Sequence, residues 1–246
     1  GLFWIVNKAI YDFSGAKVLV IGASLGGIGS AIAERFQEFG AEVTITGIEA
    51  RPVDYLYKKF RYLRLDVTRA SDFDVLSKEF DQIDILVNCA GMSERGLEPT
   101  VSVFEKMLDV NLIGTYRACH YCRHWLEQSR GVILNIGSMY GILGSPKVLG
   151  YGAAKSGIHQ LTKSLAIAWA DDGIRVNGIA PGFIETPGTV RGRSDPEHSR
   201  AVIARTPAGR WGKPEDIVGP AIFLCSPEAS FVTGVTLSVD GGYSAG

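Results

Sequence analysis

The stretch Lys17-Val18-Leu19-Val20-Ile21-Gly22-Ala23-Ser24-Leu25-Gly26-Gly27-Ile28-Gly29 decides the fold. Its first five residues form a short apolar run rich in β-branched side chains, the composition of a strand covered on both faces. Ile28, Ile32, Phe36 and Phe39 then recur at helical spacing, so the glycines lie in a tight strand-to-helix turn. Backbone without side chains at a helix N-terminus presents free amides and the positive end of the helix dipole, which suits a diphosphate. Strand, turn and helix in that order predict a nucleotide site at Gly22, Ser24, Leu25, Gly27 and Ile28.

Further apolar runs at 43–46, 62–65, 83–87, 132–136, 175–179 and 236–239 alternate with helical patterns such as Leu161, Leu165 and Ala168. This rhythm predicts a single α/β domain over residues 1–246: a doubly wound, parallel, seven-stranded sheet with right-handed crossovers. Only about fifteen residues separate the second strand from the third, and Pro52 interrupts them. The crossover helix there is expected to be short or absent. Residues 183–210, rich in Gly, Pro and charge, read as a mobile substrate loop carrying a small helix.

At 246 residues, 46% hydrophobic and 21% charged, the composition is that of an ordinary globular protein with a large core. A net charge of −1 advertises neither nucleic acid nor anionic lipid as a partner. The apolar stretch 2–6 is far too short to span a bilayer and lacks the features of a signal peptide, so a soluble cytoplasmic protein is expected. Four cysteines are expected to be reduced thiols. Cys119, His120, Cys122 and His124 resemble a metal cluster in spacing, but on a helix the histidines are displaced from the cysteine face by about 100°. No metal is expected.

Tyr151 and Lys155 lie one helical turn apart, thirteen residues after Ser138. A free tyrosine titrates near 10, so poising it near neutrality takes roughly 4 kcal/mol of preferential stabilisation of the phenolate. An ammonium held about 5 Å away at an effective dielectric of about 20 supplies roughly 3 kcal/mol. A positively charged cofactor ring can supply the rest. The pair is therefore a device for moving a proton to or from an alcohol.

Together these features resemble the short-chain dehydrogenase/reductase family over about residues 13–242. The glycine turn is similar to that family's Thr-Gly-x-x-x-Gly-x-Gly, with Ile21 in place of threonine and one extra residue inside the turn. Asp66 and Val67 look like its adenine contact. Asn88, Cys89, Ala90 and Gly91 look like its Asn-Asn-Ala-Gly element, and Pro181, Gly182, Ile184 and Thr186 like the segment that seats the nicotinamide carboxamide. The resemblance implies that Asn111, Ser138, Tyr151 and Lys155 are catalytic. Tyr151 acts as general acid/base, Ser138 donates to the substrate oxygen, Lys155 lowers the tyrosine pKa and holds the cofactor ribose, and Asn111 positions a water.

It also implies NAD or NADP as cofactor. The position for a ribose-binding aspartate is Gly47, and Ile48 follows it; Glu49 could take the ribose while Arg51 could neutralise a phosphate. With no basic residue at Leu25 or Ile48, NAD is favoured. The run Thr206 to Asp216, with Gly219, Pro220 and Val239 to Gly242, looks like family members acting on sugar acids: gluconate, deoxygluconate and ketodeoxyuronate dehydrogenases. Arg191, Arg193, His198, Arg200, Arg205, Arg95 and Lys147 are candidate grips for a substrate carboxylate. Two other readings are a 3-oxoacyl-thioester (acyl carrier protein) reductase using NADPH and a non-catalytic dinucleotide-binding regulator. A homo-oligomer, dimer or tetramer, is expected through the helices starting near Val101 and Tyr151 and through the last strand.

Overall fold

A computed structural model describes residues 11–93 and 100–246; the apolar stretch 2–6 and Arg95 lie outside the described residues. Seven strands form one parallel sheet in the order β3-β2-β1-β4-β5-β6-β7. They are β1 (Lys17–Ile21), β2 (Glu42–Gly47), β3 (Arg61–Arg64), β4 (Ile85–Asn88), β5 (Val132–Ile136), β6 (Arg175–Pro181) and β7 (Thr236–Val239). The order reverses between β1 and β4, which opens a crevice beyond the carboxyl ends of the strands, the usual ligand position in such sheets.

Alternation along β1 splits the core in two. Val18 and Val20 pack with Ile32 and Phe36 of α1 (Ile28–Glu38) on one face, while Leu19 and Ile21 pack with Cys119 and Leu126 on the other. Each such side chain, fully buried, stabilises the fold by about 1.5–3 kcal/mol. The second crossover is short, as its length and Pro52 require: α2 (Asp54–Lys59) has six residues. Helix α3 (Leu76–Glu79) precedes β4.

Thr100 caps α4 (Val101–Leu108), its hydroxyl accepting from the Val103 amide at 3.4 Å. The helix then runs through a π-turn at Asp109–Ile113 into α5 (Gly114–Ser129), which ends at Arg130 with φ +50°. Cys119 and Cys122 are buried while His120 and His124 are exposed, so the four do not converge. Among the described residues no group of three metal-ligating side chains comes together, and no helix is long and apolar enough to cross a membrane.

Helix α6 (Leu149–Ala168) carries Tyr151 and Lys155. The segment expected as a mobile loop with one small helix is largely helical: α7 (Val190–Arg193) and α8 (Pro196–Arg205). Asp195 caps α8 by accepting from the Glu197 and His198 amides, and Pro196 occupies its first position, a start signal. Val202 of α8, Phe183, Trp211 and Tyr243 are buried in a third apolar cluster. Helix α9 (Pro214–Cys225) completes the layer on α1.

Gly22 follows β1 with φ +86°, and a Cβ there would collide with the backbone of Ala90, two residues past β4. Strained backbone and a rigid neighbour combine, so Gly22→Ala is expected to lower unfolding stability by about 3 kcal/mol. Urea denaturation of the variant measures this.

Candidate active site

A cleft of about 950 Å³ lies beyond the carboxyl ends of β1, β2, β4, β5 and β6. At its nucleotide end the glycine turn is tied down: the amides of Gly22 and Ala23 donate to the Thr46 carbonyl at 3.2 and 2.9 Å. Gly26 and Gly27 have φ +92° and +90°, a conformation side chains disfavour. Gly27 precedes α1 and, having no side chain, caps none of its first amides; the Gly29 amide meets the Cys89 thiol. A Cβ on Gly27 would approach Thr186 to 3.3 Å, which places Thr186 directly against the turn. This bare cradle, with amides in reserve, fits the diphosphate of a dinucleotide.

The edge beyond β2 is built by side chains. The Ser24 hydroxyl donates to Glu49 Oε2 at 2.5 Å and fills the space where a Cβ on Gly47 would stand. Tyr62 donates to the Glu49 carbonyl at 2.7 Å and Arg64 Nε to the Ile48 carbonyl at 3.0 Å. Leu25 and Ile48 are exposed at the cleft edge. Arg51 pairs with Asp54 at 2.7 Å and does not line the cleft. Asp66 and Val67 line it opposite. Burial works to raise the Asp66 carboxyl, but bonds from the Thr68 amide and hydroxyl, with Arg69 and Arg64 nearby, outweigh it and hold the group below its ordinary value.

Of the residues expected to touch the nucleotide, Asn88 stands apart. Its side-chain amide donates to Asn135 Oδ1 at 2.9 Å and to Cys119 Sγ at 3.2 Å inside the core, because a residue at the end of a central strand alternates away from the crevice. Cys89, Ala90 and Gly91 line the cleft instead; burial pushes the Cys89 thiol up to about 11.

At the reacting end Ser138, Tyr151 and Lys155 all face the cleft. Lys155 is buried; its ammonium lies 5.6 Å from the Tyr151 ring centre and donates to the Ile136 carbonyl at 2.8 Å. Burial pushes its pKa down to about 8. Ser138 Oγ accepts from the Tyr140 amide at 3.1 Å. Asn111 sits in the π-turn, fully buried and behind the cleft wall. Its Nδ2 donates to the carbonyls of Met92 and Met107 at 2.9 and 3.0 Å, and its Oδ1 accepts from the Met92 amide at 3.2 Å. A Cβ on Gly91 would stand 2.7 Å from Asn111 Oδ1 and 3.6 Å from Lys155 Nζ. Gly91 is thus bare where the amide and the ammonium come together.

The substrate side holds residues that sequence reasoning missed. Phe183 lines the cleft with Tyr140 and meets Tyr140, Trp211, Tyr243 and His198 edge-on at 5.2–6.0 Å. The aromatic residues at 140, 183, 211 and 243 carry no common period, so no local signal joins them. The expected cationic grips stand elsewhere: Arg193 faces Glu185 at 3.5 Å, Arg205 lies over the Tyr243 ring at 4.3 Å, and Arg191 and Arg200 are exposed. None of these, nor His198 or Lys147, lines the cleft.

Comparison with known proteins agrees with this geometry. A sequence profile described as enoyl-(acyl carrier protein) reductase matches residues 22–244. Gluconate 5-dehydrogenase of Gluconobacter oxydans (strain 621H) is 36% identical over 250 residues, covering 95% of this chain and 96% of that one. A 3-oxoacyl-(acyl-carrier-protein) reductase of Vibrio cholerae is 38% identical over 242 residues, covering 94% and 98%. The crystal structure of a gluconate 5-dehydrogenase from Burkholderia cenocepacia J2315, in complex with NADP and tartrate, superposes with a TM-score of 0.89 at 31% identity over 96% of this chain and 97% of that one. A glycine cradle for a dinucleotide, a tyrosine and lysine at its mouth and likeness along the whole chain make this protein a member of the short-chain dehydrogenase/reductase family, an NAD(P)-dependent oxidoreductase of alcohols and their carbonyl counterparts.

Proposed function

We propose that this enzyme oxidises a secondary alcohol, or reduces the matching ketone, with Tyr151 as general acid/base, and that its substrate is a sugar acid or polyol. One observation carries the reading: the buried Lys155 ammonium beside the Tyr151 ring, opposite Ser138 in the same cleft. When bound, the nicotinamide cofactor supplies the hydride acceptor or donor. The chain supplies the rest. Tyr151 takes the hydroxyl proton at its phenolic oxygen and returns it in the reverse direction. Lys155 stabilises the phenolate as a nearby positive charge and can bind the cofactor ribose. Ser138 accepts from the Tyr140 amide, which leaves its own proton to donate to the substrate oxygen as charge develops there. Asn111 orders the wall behind Lys155. Residues 183–210 serve as the substrate segment of one dinucleotide-binding unit spanning 1–246.

The substrate class is supported by relatives named gluconate 5-dehydrogenase and galactitol 2-dehydrogenase. The 3-oxoacyl-thioester reading is weaker here, because the net charge is −1 and neither Leu25 nor Ile48 offers a cation for a 2′-phosphate. A regulator without turnover has no need of a phenol and a buried ammonium side by side. NAD is the favoured cofactor: the Glu49 carboxylate, oriented by Ser24, accepts from ribose hydroxyls and repels an added phosphate. We assign assembly as a dimer or tetramer to the exposed apolar side chains of Ile167, Phe231 and Leu237 near α6 and β7, and the reducing cytoplasm to a chain with four free thiols.

In an absorbance assay of nicotinamide reduction against sugar acids, polyols and neutral alcohols, sugar acids are expected to give the highest kcat/KM. Tyr151→Phe is expected to lower kcat at least about 10²-fold while dinucleotide affinity stays the same. An unchanged rate rejects the assignment. Lys155→Met, measured as a pH–rate profile for oxidation, is expected to move the rising limb upward toward the ordinary tyrosine value of about 10. Glu49→Ala is expected to weaken NADH about tenfold and leave NADPH unchanged or tighter, as read by titration of protein fluorescence.

A further inference from the structure

Tyr151, Lys155 and His159 recur every four residues along α6, so they form one stripe of the helix. The stripe runs from the cleft wall into the interior: Lys155 and His159 are both buried. The imidazole enters next to the strand end that bears Ser138. Gly137 still belongs to the sheet, its amide donating to the Ile179 carbonyl at 2.7 Å. The next amide, that of Ser138, has left the ladder and donates to His159 Nε2 at 3.4 Å. The other bonds of Ser138 are local: its carbonyl accepts from Gly141 and its hydroxyl from the Tyr140 amide, both within the turn that follows. Of the hydrogen bonds Ser138 makes, the imidazole contact is therefore the one that reaches the helix carrying Tyr151 and Lys155, which also holds this strand end through the Lys155 bond to the Ile136 carbonyl.

Space is reserved for the ring. A Cβ on Gly137 would overlap His159 Nε2, and a Cβ on Gly141 would lie 2.6 Å from Cε1 and 2.8 Å from the Lys155 carbonyl. The two glycines leave the imidazole room against the backbone on both sides of Ser138. An amide nitrogen only donates, so Nε2 must carry a lone pair and the ring must be neutral. Its surroundings enforce that: burial first, then the charges of Lys155 and Lys163, push its pKa down to about 4.

We propose that His159 is a positioning residue which, as a neutral acceptor for the Ser138 amide, sets the placement of the Ser138 hydroxyl relative to Tyr151. The proposal rests on the reading of Ser138 as donor to the substrate oxygen. His159→Leu keeps the bulk and removes the acceptor; His159→Gln keeps an acceptor on a flexible stem. The Leu variant is expected to lose about 30-fold in kcat, with substrate KM and dinucleotide affinity within about twofold of wild type, because the interaction acts on the transition state more than on binding. The Gln variant is expected to recover to within about threefold of wild type.

The Ser138→Ala background separates positioning from mere packing. There the His159→Leu change is expected to cost less than about twofold, since the group it positions is gone. An equal cost in both backgrounds, or a Leu variant with unchanged kcat, overturns the proposal. A Ser138→Ala enzyme with full kcat overturns it as well, and does so by removing the reading of Ser138, while Tyr151→Phe continues to report separately on the proton-transfer assignment. Should His159→Leu fail to fold, His159→Met, with similar volume and no strong acceptor, gives the same comparison.

Discussion

A buried ammonium is the constraint around which this site is organised. Taking a lysine out of water favours its neutral form, and burial pushes Lys155 down to about 8. What keeps it useful is company: it donates a hydrogen bond to the Ile136 carbonyl at 2.8 Å, and the Tyr151 ring lies beside it. A phenolate and an ammonium in this arrangement stabilise one another, so forming the tyrosine's charge and keeping the lysine's favour each other. The surroundings avoid competing with that pair. Gly91 is bare on one side, Asn111 turns its amide to the Met92 backbone behind it, and His159 stays neutral one turn below.

The helical distortion at Asp109–Ile113 belongs to the same arrangement. A π-turn lets Asn111 satisfy the Met92 backbone from the middle of a continuous helix, and such turns concentrate at functional sites. Thr115 donates its hydroxyl to the Asn111 carbonyl at 2.8 Å, meeting an acceptor that the widened turn displaces. The wall behind Lys155 is thus closed by the hydrogen bonds of Asn111 and Thr115.

At the other end of the cleft, side chains build a short turn. Ser24 occupies the room at Gly47 and holds Glu49, while Tyr62 and Arg64 fasten the turn by its carbonyls. A carboxylate two residues beyond the strand thereby reaches the cleft edge. In residues 183–210, Arg193 is committed to Glu185, Arg205 to the Tyr243 ring and Arg210 to Asp216, Arg191 and Arg200 are exposed, and aromatic edges around Phe183 seat the segment on the core. The expected mobile loop is helical because Asp195 and Pro196 start α8 and Val202 gives it a buried anchor.

The sequence by itself determined the seven apolar runs, the glycine turn and the column through Tyr151 and Lys155, because each is a local pattern: a period of two or four, or backbone freedom at a few adjacent residues. Strands at 17–21, 132–136 and 236–239 stand at the residues their composition marks. Tertiary structure alone decided which polar groups face the cleft. Asn88 turned to Asn135 and Cys119, the loop arginines turned away, and Tyr140 and Phe183 came in from separated segments. Those outcomes depend on contacts between residues distant in the chain, whose energies come from burial and directional hydrogen bonds that no local spacing encodes.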